Sequence, residues 1–516
     1  MTRTRSNGPR PRSRALSAAI TATTLLTLAA CGGGSEGSSS PSATSLSLAV
    51  QAAPASFDPA QLNDGQASYI WSALYDTLLY VDNKGKLQPN AAQSWKYSAD
   101  GLSLTLKLRK GMKFSSGAPV DAAAVKATLE RTMATPGPQQ PHLVSVKSVE
   151  APDTGTVVIN LKQRDGALLT NLSMAAGVIA DPATMAKKSS QLNPVGSGPY
   201  VLDKATVNGS SYVLKRRDDY WNAKAYPFQT LTLKVIVDPT AAFNALQAGQ
   251  IDAGSASPQY TAKLKAAGFT TTLVKATAVA NLVLADRKGS VLKPLGDARV
   301  RQAINMAFDR KKFVEQLLGG IGQPTVQTLN PKSAAYDAAL EQTYPYDPAA
   351  AKKLMAEAGY PNGFSVTMPS FVFTKQLEPT IAQQLGDIGI KVTWAPVPAQ
   401  NNLGAIASKK YPMFLFFDGL NTPARQTANN FGPTAVYNPF KSADPQLTKL
   451  MKQAESELDP AKADEAYKPV NEFVVKNAWD APVAYLGSNW AVKKGIAYLG
   501  DGSNTNSTVR AFGVSG

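Results

Sequence analysis

Alternation of apolar and polar residues marks the strands of this chain. Leu102, Leu104, Leu106 and Leu108 are separated by Ser103, Thr105 and Lys107, a period of two that turns the leucines to one face of a strand. Val157-Ile159-Leu161, Leu231-Leu233-Val235-Val237 and Ile390-Val392-Trp394 repeat the pattern. Helices announce themselves by an acid followed by proline, the acid as N-cap and the proline in the first turn. Asp347-Pro348 begins one that Gly359 ends, with Ala351, Leu354, Met355 and Ala358 sharing a face. Asp444-Pro445 begins a second, striped by Leu447, Leu450, Met451, Ala454 and Leu458. Asp459-Pro460 begins a third, carrying Ala463, Tyr467, Val470, Phe473 and Val474. Val300, Ile304 and Ala307 form a further stripe. Strand and helix signals interleave through most of the chain, which predicts α/β sheets covered by helices.

The N-terminal region breaks this pattern. Residues 1–30 hold five arginines and no acid, and an uncharged stretch runs from Ala15 to Ala30. A basic segment followed by a short apolar one is a secretory signal, too short for a comfortable bilayer crossing. It ends in Leu28-Ala29-Ala30-Cys31, which resembles a bacterial lipobox whose cysteine carries the lipid; Cys31 is the one cysteine of the chain. Residues 31–45 then read as a Gly/Ser-rich tether with a reach of about 20 Å.

Composition sets limits on the rest. At 516 residues the chain is long enough for about three domains. One cysteine and one histidine exclude a disulfide framework and leave no multi-histidine metal site. The formal charge is +16, and loss of the five N-terminal arginines with the signal would leave +11. No run of five like charges follows, so a solvated surface is expected and nucleic acid is not a partner. Asp153-Thr154-Gly155 copies an aspartic-protease triplet, but it follows Pro152 between two strand signals and has no second copy, so it reads as a hairpin turn. Ser290-Val291-Leu292-Lys293 runs straight into Pro294, and no Walker loop or His-Glu-x-x-His occurs. His142 follows Pro141 in a turn-like segment and is expected on a surface loop. A carboxylate pair drawn from separate strands stays open.

From Tyr75 onward the chain resembles the family 5 extracellular solute-binding proteins of bacterial ABC importers, the oligopeptide, dipeptide and nickel receptors. The resemblance rests on Tyr75-Asp76-Thr77-Leu78, on Leu87-Gln88-Pro89-Asn90-Ala91-Ala92-Gln93-Ser94-Trp95, and on Leu108-Arg109-Lys110-Gly111-Met112-Lys113-Phe114. Pro194 to Tyr200, Tyr220-Trp221, Leu246 to Asp252, Val300 to Ile304, Asp309-Arg310 and Tyr346-Asp347-Pro348 keep the family's order. Gly196 and Gly198 are expected to permit a tight turn beside Pro199.

This resemblance implies an α/β fold: a two-lobed clamshell like the class II periplasmic binding proteins, with an added third domain. Lobe I maps to 46–74, 196–281 and 486–516, the extra domain to 75–195, and lobe III to 282–485, with hinge crossings near Asn281 and Tyr485. It implies a lipid-anchored receptor outside the cytoplasmic membrane that closes on a peptide-like solute and delivers it to a permease with cytoplasmic ATPases. It further implies a monomer with no cofactor, no protein-bound metal and no catalysis. Peptide receptors of the family present a Gly-Trp-x-x-Asp-type segment whose acid meets the peptide amine. The counterpart here is Phe414 to Asn421, with Phe417 in the Trp position, Leu420 in the acid position and Asp418 in another register. Phe416, Phe417 and Asp418 are accordingly the first candidate ligand contacts, joined by Phe57, Trp71, Asn281, Asn430 and Tyr437. Core packing competes as the role of each aromatic, and ordinary loop structure as that of Asn430. A tethered carboxylate hydrolase and a structural lipoprotein are the competing functions.

Overall fold

The computed structural model describes residues 44–515 except 399–400, 433–434, 458, 460–461 and 505, so Cys31 and most of the tether lie outside the described residues. Among the described residues the largest sheet has nine strands. Its order is Phe414–Gly419, Thr270–Val283, Ala481–Val492, Ala253–Ser255, Ser45–Val50, Thr230–Val235, Ser211–Arg216 and Tyr200–Leu202, with Gly322–Pro324 also on the third of these. Pairing is mixed: Ser45–Val50 runs parallel to Thr230–Val235, whereas Thr270–Val283 and Ala481–Val492 are antiparallel. A separate antiparallel sheet joins Ala92–Tyr97, Ser103–Leu108, Thr156–Leu161 and Val146–Asp153.

Three large cores account for most of the apolar burial. One contains Leu46, Leu48, Trp71, Leu231, Leu233 and Trp490. A second contains Leu282, Val300, Ile304, Met368, Leu415 and Val483. The third, under the four-stranded sheet, holds Leu104, Leu106, Leu108, Val125, Val157 and Ile159. Alternation predicted these faces well: each of those three leucines is buried, and burial of a leucine contributes about 1.5–3 kcal/mol. Leu102 and Val237, at the ends of their runs, are exposed instead.

Local signals mostly land where expected. Asp347 caps helix Pro348–Glu357 by accepting from Ala350 N at 2.9 Å, and Gly359 leaves it with φ +92°. Asp444 caps Pro445–Glu455. Asp153 closes the hairpin predicted for it, accepting from Gly155 N at 2.8 Å. The start of the third acid–proline signal, at Pro460, lies outside the described residues; a turn over Glu465–Tyr467 leads into Lys468–Lys476. Pro469 sits in the first turn of that helix, where a proline without N–H is tolerated. Gly196 and Gly198 also differ from expectation. They allow close backbone approach: a β-carbon on Gly198 would sit 2.4 Å from the Leu74 carbonyl carbon, where Gly198 N bonds Leu74 O at 2.9 Å.

The sequence blocks that carry the family resemblance turn out to be hydrogen-bonding scaffold. Asp76 is buried and accepts from Tyr220 Oη at 2.7 Å, Trp221 Nε1 at 3.3 Å and Asn90 Nδ2 at 3.4 Å, so three separate blocks meet on one carboxylate. Burial pushes its pKa up to about 6. Arg310 donates to the carbonyls of Thr325, Pro482 and Asn305 at 2.8–3.0 Å.

The two long strands Thr270–Val283 and Ala481–Val492 pass between the first two cores, with register shifts between Val274 and Ala278 and between Ala280 and Asn281. Their second-core ends are pinned by a buried ion pair, Arg287 to Asp480 at 2.5 Å, both side chains 1% exposed. Asp480 also accepts from Leu284 N at 3.0 Å and from Asn281 Nδ2 at 3.2 Å. Removing one partner of such a pair strands a buried charge. Asp480→Ala should therefore lose about 3–5 kcal/mol in chemical denaturation, and a loss below about 1 kcal/mol would refute the pinning role.

Candidate functional site

Strand Phe414–Gly419 pairs with Thr270–Val283 so that Asp418 lies opposite Val279 and Phe416 opposite Asn281. Side chains alternate across it, placing Phe414, Phe416 and Asp418 on one face and Leu415 and Phe417 on the other. Leu415 and Phe417 pack on the second core, while Phe416 meets Tyr437 at 4.9 Å and Phe373 at 5.4 Å between ring centroids. Phe373 is 39% exposed, so this aromatic shelf is open on one side.

Asp418 is 5% exposed and takes hydrogen bonds on Oδ2 from Gln426 Nε2 and from Asn430 Nδ2, the latter at 2.9 Å. Burial raises its pKa to about 7. Gln426 and Asn430 are one turn apart on helix Pro423–Asn430, which Pro423 starts and which is buried over most of its length despite having no large apolar residue. Three buried polar atoms of this helix have no partner: Arg425 Nε, Thr427 Oγ1 and Asn430 Oδ1. Buried polar groups are normally satisfied by protein or ordered water, so three orphans mark this helix as polar surface open to a bound water or solute.

Arg425 reaches across to the other bodies. Its Nη2 pairs with Asp64 Oδ2 at 2.7 Å and its Nη1 donates to Asn171 Oδ1 at 3.1 Å. His142 Nε2 lies 3.4 Å from Nη2. Guanidinium has no acceptor, so the imidazole nitrogen accepts and the ring is neutral. Burial, and then Arg425, lower the His142 pKa to about 4, in keeping with that state. His142 is thus half-buried at the seam instead of on a free surface loop, because Arg425 covers its ring. Thr170 and Thr422 add a 3.1 Å contact. Cavities flank this seam: about 520 Å³ beside Asp64, Trp71, Tyr80 and Arg510, and about 1240 Å³ beside His142, Asn171, Arg425 and Asn429.

Of the residues expected from sequence, Phe416, Asp418, Asn430 and Tyr437 come together here, while Phe417 packs on the second core from the opposite face of the strand. Trp71 lines the smaller cavity, its Nε1 tied to Asn63 O at 2.9 Å. Phe57 is enclosed in the first core edge-on to Tyr212, and Asn281 is fully buried on Asp480, because both belong to segments packed between elements. Leu420 is buried with Val279 and Tyr485. Sequence reasoning missed Asp64, Asn171, Arg425 and Gln426. The one signal available was a polar helix without an apolar stripe directly after an aromatic strand.

The family model for bacterial extracellular solute-binding proteins, family 5 (middle region), matches residues 86–444. The chain belongs to this family. A glutathione-binding protein GsiB of Escherichia coli O1:K1 is 29% identical over 447 residues, covering 83% of this chain and 86% of the relative. Among solved structures, the periplasmic binding protein AgaA in complex with agropinic acid (A. tumefaciens R10) superposes with a TM-score of 0.79 at 24% identity, over 92% of this chain and 99% of that one. DppA from Helicobacter pylori in complex with a peptide gives 0.78 at 23% identity, over 92% and 98%. The fold is the two-lobed periplasmic-binding architecture with an extra domain. Family 5 proteins are extracytoplasmic solute receptors of ABC importers and not enzymes, which removes the hydrolase alternative. Among the described residues no helix is long and apolar enough to cross a membrane, and no group of three His, Cys, Asp or Glu side chains is placed to hold a metal ion.

The Asp418 carboxyl has a measurable consequence. It stays protonated up to about 7 in the folded chain, against an ordinary 3.8 when exposed. Between those values the native state holds more protons than the unfolded one, so this group makes stability fall as pH rises. Asp418→Asn removes that slope: in urea titrations its stability relative to the parent should improve from pH 4.5 to pH 7.5. An unchanged difference would show that Asp418 ionises normally in the fold.

Proposed function

We propose that this chain is a lipid-anchored, monomeric receptor that closes its two lobes around a peptide-like small solute and presents it to an ABC permease with cytoplasmic ATPases. The observation that carries the reading is the orphaned polar set on the buried helix Pro423–Asn430, whose Arg425, Ala428 and Asn429 line the larger cavity. Cargo that supplies those bonds contacts both lobes and so favours the closed form. Phe416 and Tyr437 offer it an aromatic shelf, which Phe417, on the opposite face of the strand, meets only through Phe373; Asp418 and Asn430 form the polar edge, and Trp71 the far wall. Names of relatives point the same way, since GsiB is a glutathione-binding protein and DppA was solved with a peptide. The three separate cores support the division into lobe I, extra domain and lobe III drawn from sequence, with the irregular stretch of Thr270–Val283 as a hinge.

Anchoring rests on Leu28-Ala29-Ala30-Cys31. In a bacterial host, Cys31→Ser should move the protein from the membrane to the soluble fraction, and retention on membranes would reject the lipid anchor. For cargo, mass spectrometry of small molecules released from gently purified protein should recover an unmodified peptide-sized solute stoichiometric with the chain. Small-angle scattering should then show compaction when that solute is returned. A shape indifferent to the released solute would defeat the receptor reading.

A further inference from the structure

The Asp64–Arg425 pair joins residues 361 positions apart, from the first core to the polar helix, with side chains 16% and 4% exposed. It stands as the wall between the two seam cavities, since Asp64 lines the smaller and Arg425 the larger. Its geometry is incomplete in one respect. Nε and Nη2 form one edge of the guanidinium fork, suited to both oxygens of a carboxylate. Asp64 occupies Nη2, while Nε is buried and without a partner. Asn171 holds Nη1 at 3.1 Å and keeps the plane oriented whichever anion sits on the other edge. Asp64 itself is anchored through Oδ1, which accepts from Ala175 N at 3.1 Å.

We propose that this pair is an internal stand-in for cargo: its single bond holds the empty lobes together only part of the time, and the cargo that replaces it and closes them fully is a zwitterion whose carboxylate takes the Nε–Nη2 edge of Arg425 and whose ammonium takes Asp64. The inference rests on the solute-receptor reading above and names the charge class of the solute. An arriving carboxylate makes two bonds where Asp64 makes one, so it displaces Asp64. The displaced Asp64, only 16% exposed, is then left without its counter-ion, and a cationic group on the same molecule restores it. A purely anionic solute strands Asp64, and a purely cationic one strands Arg425. Either loss is expensive in a desolvated site, so singly charged cargo is disfavoured.

The test uses the full chain, freed of co-purified solute, and the dipeptide Met-Leu with its N-acetyl and C-terminal amide derivatives as probes. Calorimetry on the parent protein should rank the zwitterion above both derivatives by roughly 100-fold, the penalty expected for stranding one buried charge. Asp64→Asn should bring the N-acetyl form level with the parent dipeptide, and Arg425→Gln should do the same for the amide. Without any probe, both variants should scatter as a more open particle than the parent while keeping its far-UV circular dichroism. Equal binding of all three probes by the parent, or variants that leave the ranking intact, would overturn the exchange. An unchanged probe-free shape in both variants would overturn the latch. Should none of the three bind the parent, the peptide-like cargo is wrong; the charge of the solute released from purified protein then decides the exchange, a zwitterion supporting it and a singly charged solute refuting it.

Discussion

The antiparallel pairing of Thr270–Val283 with Ala481–Val492 fixes the position of nearly everything that matters for binding. These strands belong to the first core at one end, through Val274 and Trp490, and to the second at the other, through Leu282 and Val483. Irregular register between them supplies extra twist and a point of bending without breaking the ladder. Because Phe414–Gly419 is hydrogen-bonded onto Thr270–Val283, the register that holds the lobes together also decides that Phe416 and Asp418 face the same side. A slip of one residue would exchange them for Leu415 and Phe417. The Arg287–Asp480 pair ties together the loops at the second-core ends of Thr270–Val283 and Ala481–Val492.

Hydrogen-bond satisfaction separates scaffold from site. Arg301, Arg310 and Asp76 are buried and charged, yet each spends its polar atoms on backbone carbonyls or on side chains from distant blocks. Such networks reward one arrangement of the chain and no other. Helix Pro423–Asn430 is as deeply buried but keeps three polar atoms unused. A buried polar surface left unsatisfied is costly, and it becomes favourable when water or a solute completes it. The larger cavity reaches that helix through Arg425, Ala428 and Asn429, so a solute held there is placed beside it.

Much of the fold was legible in the chain because its causes are local. Alternating leucines and acid–proline caps act within a few residues, so Ser103–Leu108, Pro348–Glu357 and Pro445–Glu455 fall close to where their signals lie. Lys468–Lys476 obeys another local rule, carrying Pro469 in its first turn. The site was only half legible. The aromatic strand could be found by its place in an ordered series of motifs. Arg425, Asp64, Asn171 and His142 could not, since their meaning comes from contacts spanning up to 361 residues. Asn281 was misjudged for the same reason: its amide has a partner, Asp480, that no local pattern reveals.

The identity of the acid at the site follows from burial. Leu420 occupies the position where peptide receptors of this family carry an acid, and it packs against Val279 and Tyr485 on the crossing strands. A carboxylate there would sit in an apolar pocket at the hinge. Asp418, two residues earlier, is the nearest replacement in sequence, but burial favours its protonated form up to about 7 and its Oδ2 already serves two amides. A group in that state orients the helix better than it attracts a cation. Asp64 differs on each count: it is partly open to a cavity, paired with a guanidinium and backed by one backbone N–H. Asp64 and Arg425 meet at 2.7 Å across the seam, so under the exchange proposed above an acid at that place couples charge recognition to the approach of the two lobes.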